Sequence, residues 1–366
     1  MSTARWDGRT IWEEDGTIRV LDQRRLPHEV VSVELDSVAA AAQAIRTMQV
    51  RGAPLIGATA AWGLALAARD DPSDAALERA RTLLLDTRPT AVNLQWAVER
   101  GLGRILPLDE DRRAHTAQLE ARTICREDVE TNRRLGDHAL GLIRARAQEV
   151  AATPDSPLQV LTHCNAGRLA TVGWGTATAG IYRAAEEGIP LHVWVDETRP
   201  RRQGGRLTAW ELGQAGVEHT VVPDSAAAHL MATRRVHLVL VGTDRTTAGG
   251  DVANKIGTYG VALAAQDNDV PFYVAAPGSS IDFQTRSGGE VPIEERSGDE
   301  VIWVEGLSDA GSLETVRLLP PDSPAANWAF DVTPARLITG IITERGVAEP
   351  STESLARLYP DAAGRG

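Results

Sequence analysis

Cysteine is nearly absent. Two residues, Cys125 and Cys164, in a chain of 366 provide no disulfide framework, and they suit a reducing, cytoplasmic compartment. Long apolar runs are also missing. No stretch approaches the roughly 20 residues that span a bilayer, so no membrane partner is expected. The opening segment MSTARWDGRTIWEEDG is charged and has no apolar core, and is not read as a signal peptide. There is no basic excess: the net charge is -12, which makes nucleic acid an unsuitable partner and leaves any anionic ligand to a local cationic site. HExxH, paired CxxC and clustered His/Cys/Asp sets are lacking, so no metal site is expected. GxGxxG and GxxxxGK[ST] are lacking too, which removes dinucleotide and P-loop sites. The sequence implies no cofactor.

Lysine is scarcer still. Lys255 is the single lysine beside 37 arginines. A GC-rich genome explains the bias plainly, and an acid excess also fits salt adaptation. One surviving lysine inside GGDVANKIGTYG is a candidate for function, with chance as the plain alternative.

Hydrophobic residues make up 43% of the chain, enough for a sizeable core. The pattern changes near residue 150, at Thr153-Pro154-Asp155-Ser156-Pro157, and the expected division is 1–152 and 153–366. The first part reads as mainly helical after two short strands, TIRVLDQ and EVVSVEL. Helices fit the stretch opened by Asp36-Ser37, PLIGATAAWGLALAARD, DAALERARTLLLD, PTAVNLQWAVERG and residues 109–150. The second part alternates β-branched runs with helices: LQVLTHC, LHVWVDET, EHTVVPD, HLVLVGTD and PFYVAAPGSS are the strands. Such alternation predicts an α/β fold with a parallel sheet covered on both faces. Right-handed crossovers bring all strand C-terminal ends to one edge, where ligands bind in sheets of this type. Cys164, Asp196 with Glu197, Asp224, Asp244 and Ala276–Ser279 all fall there.

Several residues at that edge have two readings. Cys164, in THCNAGR, precedes a glycine-bearing turn into a helix, whose backbone N–H groups favour a phosphate or a thiolate; the alternative is a structural cysteine. His163 points to the opposite face and reads as core or support. Asp244 is a candidate general acid if burial raises its pKa, or else a cap for the next helix. Asp251 fits that cap better. Asn254 and Lys255 are expected in the helix's first turn, where a lysine opposes the helix dipole by about 0.3–1 kcal/mol and an anion would offset the conflict. The turns Arg51-Gly52-Ala53-Pro54 and Arg88-Pro89-Thr90 each bring an arginine to a helix start, a phosphate-like arrangement that spacing alone does not select among so many arginines. The charged loop from Asp196 to Arg206 suits substrate binding, gating or a partner contact, or its arginines are plainly solvated or paired with acids.

Six motifs in order, RGAPLIGATAAWG, TRPTAVNLQWAVERG, LTHCNAGRLATVGWGTA, VDETRPRRQGGRLTAWEL, VGTDRTTAGGDVANKIGTYG and IEERSGDEV, resemble those of the methylthioribose-1-phosphate isomerases, with similarity from about residue 17 to 345. The resemblance implies Cys164 and Asp244 as the catalytic pair. It implies substrate contacts at Arg51, Gly52, Ala53, Arg88, Gln203, Asn254 and Lys255. It also implies a small, mainly helical N-terminal domain joined to a Rossmann-like domain, a homodimer, and a small-molecule sugar phosphate as ligand. The expected reaction is the aldose–ketose conversion of 5-methylthioribose 1-phosphate in methionine salvage. Isomerases of ribose 1,5-bisphosphate or 5-deoxyribose 1-phosphate, and non-catalytic regulatory subunits of the translation initiation factor exchange complex, are the alternatives. The loops Thr246–Gly250 and Ala276–Asp282 depart from the family pattern and leave the group at the sugar's 5-position open.

Overall fold

In the computed structural model, residues 6–88 and 91–363 are described; Pro89 and Thr90 of the second arginine turn lie outside them. The chain opens with β1 (Ile11–Glu14), β2 (Thr17–Leu21) and β3 (Ser32–Leu35), an antiparallel sheet. The first strand was not expected from the pattern. It pairs with β2 through Asp15-Gly16, both at positive φ, the geometry of a tight two-residue hairpin turn.

Five helices follow: α1 (Val38–Arg46), α2 (Ala53–Asp70), α3 (Asp74–Leu85), α4 (Val92–Ile105) and α5 (Glu110–Glu149). Ser37 caps α1, its hydroxyl accepting the Ala40 N–H at 3.2 Å. Helix α2 is buried from Ala53 to Ala68, as a helix apolar on all sides must be, and the other helices pack around it. Helix α5 serves two cores. Ala117, Ala121 and Ile124 join the helical core, and Leu135, Ala139 and Ile143 pack against the sheet that follows.

That sheet is built from β4 (Leu158–Thr162), α6 (Ala177–Glu186), β5 (Leu191–Asp196), α7 (Ala209–Gln214), β6 (His219–Val222), α8 (Ala226–Ala232) and β7 (Leu238–Val241), continued further along the chain. The chain then runs through β8 (Arg245–Thr247), β9 (Val252–Lys255), α9 (Thr258–Asp267), β10 (Phe272–Ala275), which returns to the main sheet, β11 (Ile281–Asp282), α10 (Asp299–Ile302), the hairpin β12 (Trp303–Leu307) and β13 (Leu313–Arg317), and β14 (Phe330–Thr333). The chain closes with β15 (Gly340–Thr343), β16 (Gly346–Ala348), α11 (Thr352–Leu358) and α12 (Pro360–Ala363).

The main sheet runs β16-β15-β10-β7-β4-β5-β6, parallel throughout except for the antiparallel edge strand β16. Counted by first appearance, the parallel strands stand in the order 3-2-1-4-5-6. This is the doubly wound Rossmann order, and its strand sequence reverses between β4 and β7. The fold is therefore the expected α/β class with a helical N-terminal layer.

Two local expectations are corrected. Asn254 and Lys255 are not in a helical first turn; they end β9, which pairs with β8 and β14 in a separate four-stranded sheet. Helix α9 begins only after Gly257, at φ 105°. Asp251 does not cap α9; its carboxylate accepts the Gly288 and Ala335 N–H groups, each at 2.8 Å, at the starts of two short 3-10 turns.

Candidate active site

The reversal in strand order opens a crevice between the loops after β4 and β7, and those loops carry Cys164 and Asp244. Cys164 adopts φ +66°. Its N–H donates to Thr198 Oγ1 at 2.8 Å, and its carbonyl accepts from Thr208 Oγ1 at 2.7 Å. Its Sγ faces Gln203 Oε1 at 3.6 Å. Asp244 is anchored through its N–H to the Ala253 carbonyl at 3.0 Å. All nine site residues expected from the sequence line this one cleft: Arg51, Gly52, Ala53, Arg88, Cys164, Gln203, Asp244, Asn254 and Lys255. They come from the start of α2, the approach to α4, the ends of β4, β7 and β9, and the loop after β5. The rest of the lining includes Met48, Ile56, Val291, Ile293 and Phe330, so cations sit against apolar walls.

The cations are held by neighbours. The Arg51 guanidinium donates to the Asn165 side-chain oxygen and, at 2.7 Å, to the Asn165 carbonyl. Lys255 Nζ donates to the Ala329 carbonyl at 2.8 Å and lies 4.6 Å from the centre of the Phe330 ring. Arg88 pairs with Glu294 at 3.0 Å, and Glu294 pairs with Arg296 at 2.9 Å. Among the described residues, Arg88 Nε is a buried donor without a partner.

Burial sets the protonation of the pair. It pushes the Asp244 carboxyl up against the opposing pull of Lys255, Arg88 and Arg51. It raises the Cys164 thiol in the same way against Arg51 and Lys255, and the negative charge of Asp244 adds to that rise. Lys255 is pulled down by burial and supported by Cys164 and Asp244. The other cysteine, Cys125 on α5, is pushed up to about 12 by burial and does not line the cleft.

One arrangement behind the lining was not read from the sequence. Asn165 bridges Arg51 to Glu211, donating to Glu211 Oε1 at 2.7 Å. Glu211 is 1% exposed, and burial lifts it to about 7. A Cβ on Gly167 would meet its carboxylate, so the glycine of THCNAGR admits the acid. His163, placed by its strand parity away from Cys164, is buried as expected. The arginines of the 198–206 loop are neither solvated nor aimed into the cleft as a group. Arg201 pairs with Glu300 at 2.7 Å, Arg199 donates to the Val301 carbonyl at 3.0 Å, and Arg206 pairs with Glu305 at 3.3 Å.

Known proteins share this layout. The model of the Initiation factor 2 subunit family matches residues 49–350. A methylthioribose-1-phosphate isomerase of Rhodospirillum rubrum is 57% identical over 97% of this chain and 92% of its own. The chain belongs to the methylthioribose-1-phosphate isomerase family. The crystal structure of 5-methylthioribose 1-phosphate isomerase from Pyrococcus horikoshii OT3 superposes with a TM-score of 0.82 at 40% identity, covering 96% of each chain. The structure of translation initiation factor eIF-2B, subunit delta, from A. fulgidus superposes at 0.78 with 37% identity, covering 96% of this chain and 99% of its own. The isomerase fold is thus shared with proteins named for translation. Membership in the isomerase family rests on the higher identity.

Proposed function

We propose that Cys164 and Asp244 are the proton-transfer pair with which this isomerase converts 5-methylthioribose 1-phosphate to 5-methylthioribulose 1-phosphate, a step of methionine salvage. The observation that carries this reading is the placement of both residues across one crevice at the strand reversal, with Arg51, Arg88 and Lys255 around them.

The chemistry has a specific obstacle. Phosphate on the anomeric oxygen prevents ring opening through a free hemiacetal. The ring oxygen must be protonated, and a hydrogen must move from C2 to C1. Asp244, kept protonated by burial, supplies the proton to the ring oxygen. Cys164, reacting as the thiolate that Arg51 and Lys255 favour, takes the proton from C2; the thiol so formed exchanges with solvent and protonates C1, while the C2 hydroxyl gives its proton back to Asp244 as the ketone forms. Because a charge on Asp244 raises the Cys164 thiol, the two hold their protons jointly rather than independently. Arg51, Arg88 with its unpaired Nε donor, and Lys255 meet the phosphate, together with the backbone amides at the start of α2 behind Gly52. Gln203 and Asn254 supply polar contacts to the sugar.

The walls formed by Met48, Ile56, Val291 and Phe330 suit a methylthio group better than a second phosphate. This favours 5-methylthioribose 1-phosphate over ribose 1,5-bisphosphate, and comparing their turnover tests the choice. A regulatory protein without chemistry would show no turnover of any of these sugars. The division at residues 152 and 153, the cytoplasmic setting and the homodimer belong to the same proposal. The separate helical core from residues 11–124 supports the division. Among the described residues no helix is long and apolar enough to cross a membrane. Exposed Trp303, Val316, Leu318 and Trp328 offer apolar surface to a second copy, which light scattering would detect.

Turnover in deuterium oxide tests the proton route. Deuterium is expected to appear at C1 of the product. Complete retention of the C2 hydrogen, with no solvent label, would replace proton transfer with a hydride shift.

A further inference from the structure

The imidazole of His163 is 1% exposed and lies outside the cleft, yet it bonds to two chain segments that adjoin cleft residues. Its Nε2 is 2.9 Å from the Ile256 carbonyl, and its Nδ1 is 3.0 Å from Asp196 Oδ2. A carbonyl only accepts, so Nε2 carries a hydrogen and donates it. Whichever atom holds the proton between Nδ1 and Asp196, that Nε2 donor is fixed.

The three chain segments joined here are those that carry the site. His163 immediately precedes Cys164. Asp196 ends β5, and its carbonyl receives Thr198 Oγ1 at 3.0 Å, the same hydroxyl that accepts the Cys164 N–H. Ile256 immediately follows Lys255. Beyond it, a Cβ on Gly257 would come within 2.8 Å of the imidazole Cε1, so only glycine leaves room for the ring at that point. Asp331 holds that backbone from the far side, accepting the Gly257 N–H at 2.8 Å and the Tyr259 N–H at 3.1 Å. Asp224 completes the surroundings, accepting the Thr198 and Arg199 N–H groups at 2.6 and 2.8 Å.

We infer that His163 is a positioning residue, a strut that sets the spacing of Cys164 from Lys255 by hydrogen-bonding β5 at one ring nitrogen and the end of β9 at the other. The inference rests on the proposed reading of the site. It also explains a histidine that strand parity turns away from the chemistry.

The test is a pair of near-isosteric variants, assayed as the full chain on 5-methylthioribose 1-phosphate. His163→Gln can place an amide donor where Nε2 sits and keep the bond to Ile256. His163→Asn can reach only the Asp196 side. A misplacement of the order of 1 Å costs up to about 100-fold, so His163→Asn is expected to lower kcat/KM by about tenfold or more. His163→Gln should recover most of that loss, with thermal midpoints of the two variants alike. Wild-type kcat/KM in His163→Asn, or equal losses in both variants, overturns the strut. If His163→Asn does not fold, Asp196→Asn, which loosens the ring at Nδ1 only, takes its place; full activity in that folded protein also overturns the inference. Cys164→Ser, run in parallel, separates the two levels of argument. Near-wild-type turnover by Cys164→Ser rejects the site itself. An inactive Cys164→Ser beside a fully active His163→Asn rejects only the strut.

Discussion

Arg51 faces the cleft because Asn165 grips its guanidinium, and Asn165 is in turn held by the carboxylate of Glu211. Burial is the largest influence on Glu211. It outweighs the Leu169 N–H and the Asn165 amide and lifts the acid from 4.5 to about 7. The sign of the consequence follows from proton counting. Between about pH 4.5 and 7 the folded protein keeps a proton that the unfolded chain has lost, so this group subtracts stability as pH rises through that window. Glu211→Gln is expected to flatten the fall in urea midpoint over that range, and an unchanged slope would contradict the placement. Glu211 escaped notice because in LTAWEL it looks like the solvent-facing acid of an amphipathic helix. Lys255 was legible for the opposite reason. A residue type that occurs once draws attention without any structural pattern.

At the scale of elements, α5 holds the helical layer to the sheet, with one half of its apolar face in each core. Leu135, fully buried on the sheet side, is the point to test. Leu135→Ala is expected to cost about 2–5 kcal/mol in urea unfolding, and a loss under about 1 kcal/mol would show that this half of the helix packs loosely. Five of the six parallel strands were legible as short apolar, β-branched runs, because strands buried on both faces leave continuous apolar stretches; β15 (Gly340–Thr343), parallel to β10, was not read. Strand β9 was not. VANK is four residues long, and it runs through Gly257 into the strongly helical TYGVALAAQD. Its strand state comes from pairing with β8 and with β14, more than 70 positions away in the sequence. A local pattern carries no trace of such a partner. The local hairpin of β12 and β13 is hidden for another reason: WVEGL and LETVR carry no clean apolar–polar alternation and bury little.

At the scale of the whole molecule, strand order does the assembling. Placing β4 beside β7 brings together loops 80 positions apart, counted from Cys164 to Asp244, and the helical layer adds Arg51 and Arg88 from above. The nine candidate residues were legible at two levels. Cys164 and Asp244 followed from strand ends, and Asn254 and Lys255 from the lone lysine and an expected helix start that the structure replaces with a strand, whereas Arg51, Gly52, Ala53, Arg88 and Gln203 needed the family resemblance, because an arginine-rich chain gives no spacing signal. Their convergence is a property of topology. The direct measurement is turnover of 5-methylthioribose 1-phosphate by the wild-type chain, Cys164→Ser and Asp244→Asn, with substrate binding followed by calorimetry. The account predicts an active wild type and two folded variants that still bind the sugar phosphate but lose about 100-fold or more in kcat, the scale of a lost acid–base group. Near-wild-type kcat in either variant would contradict it.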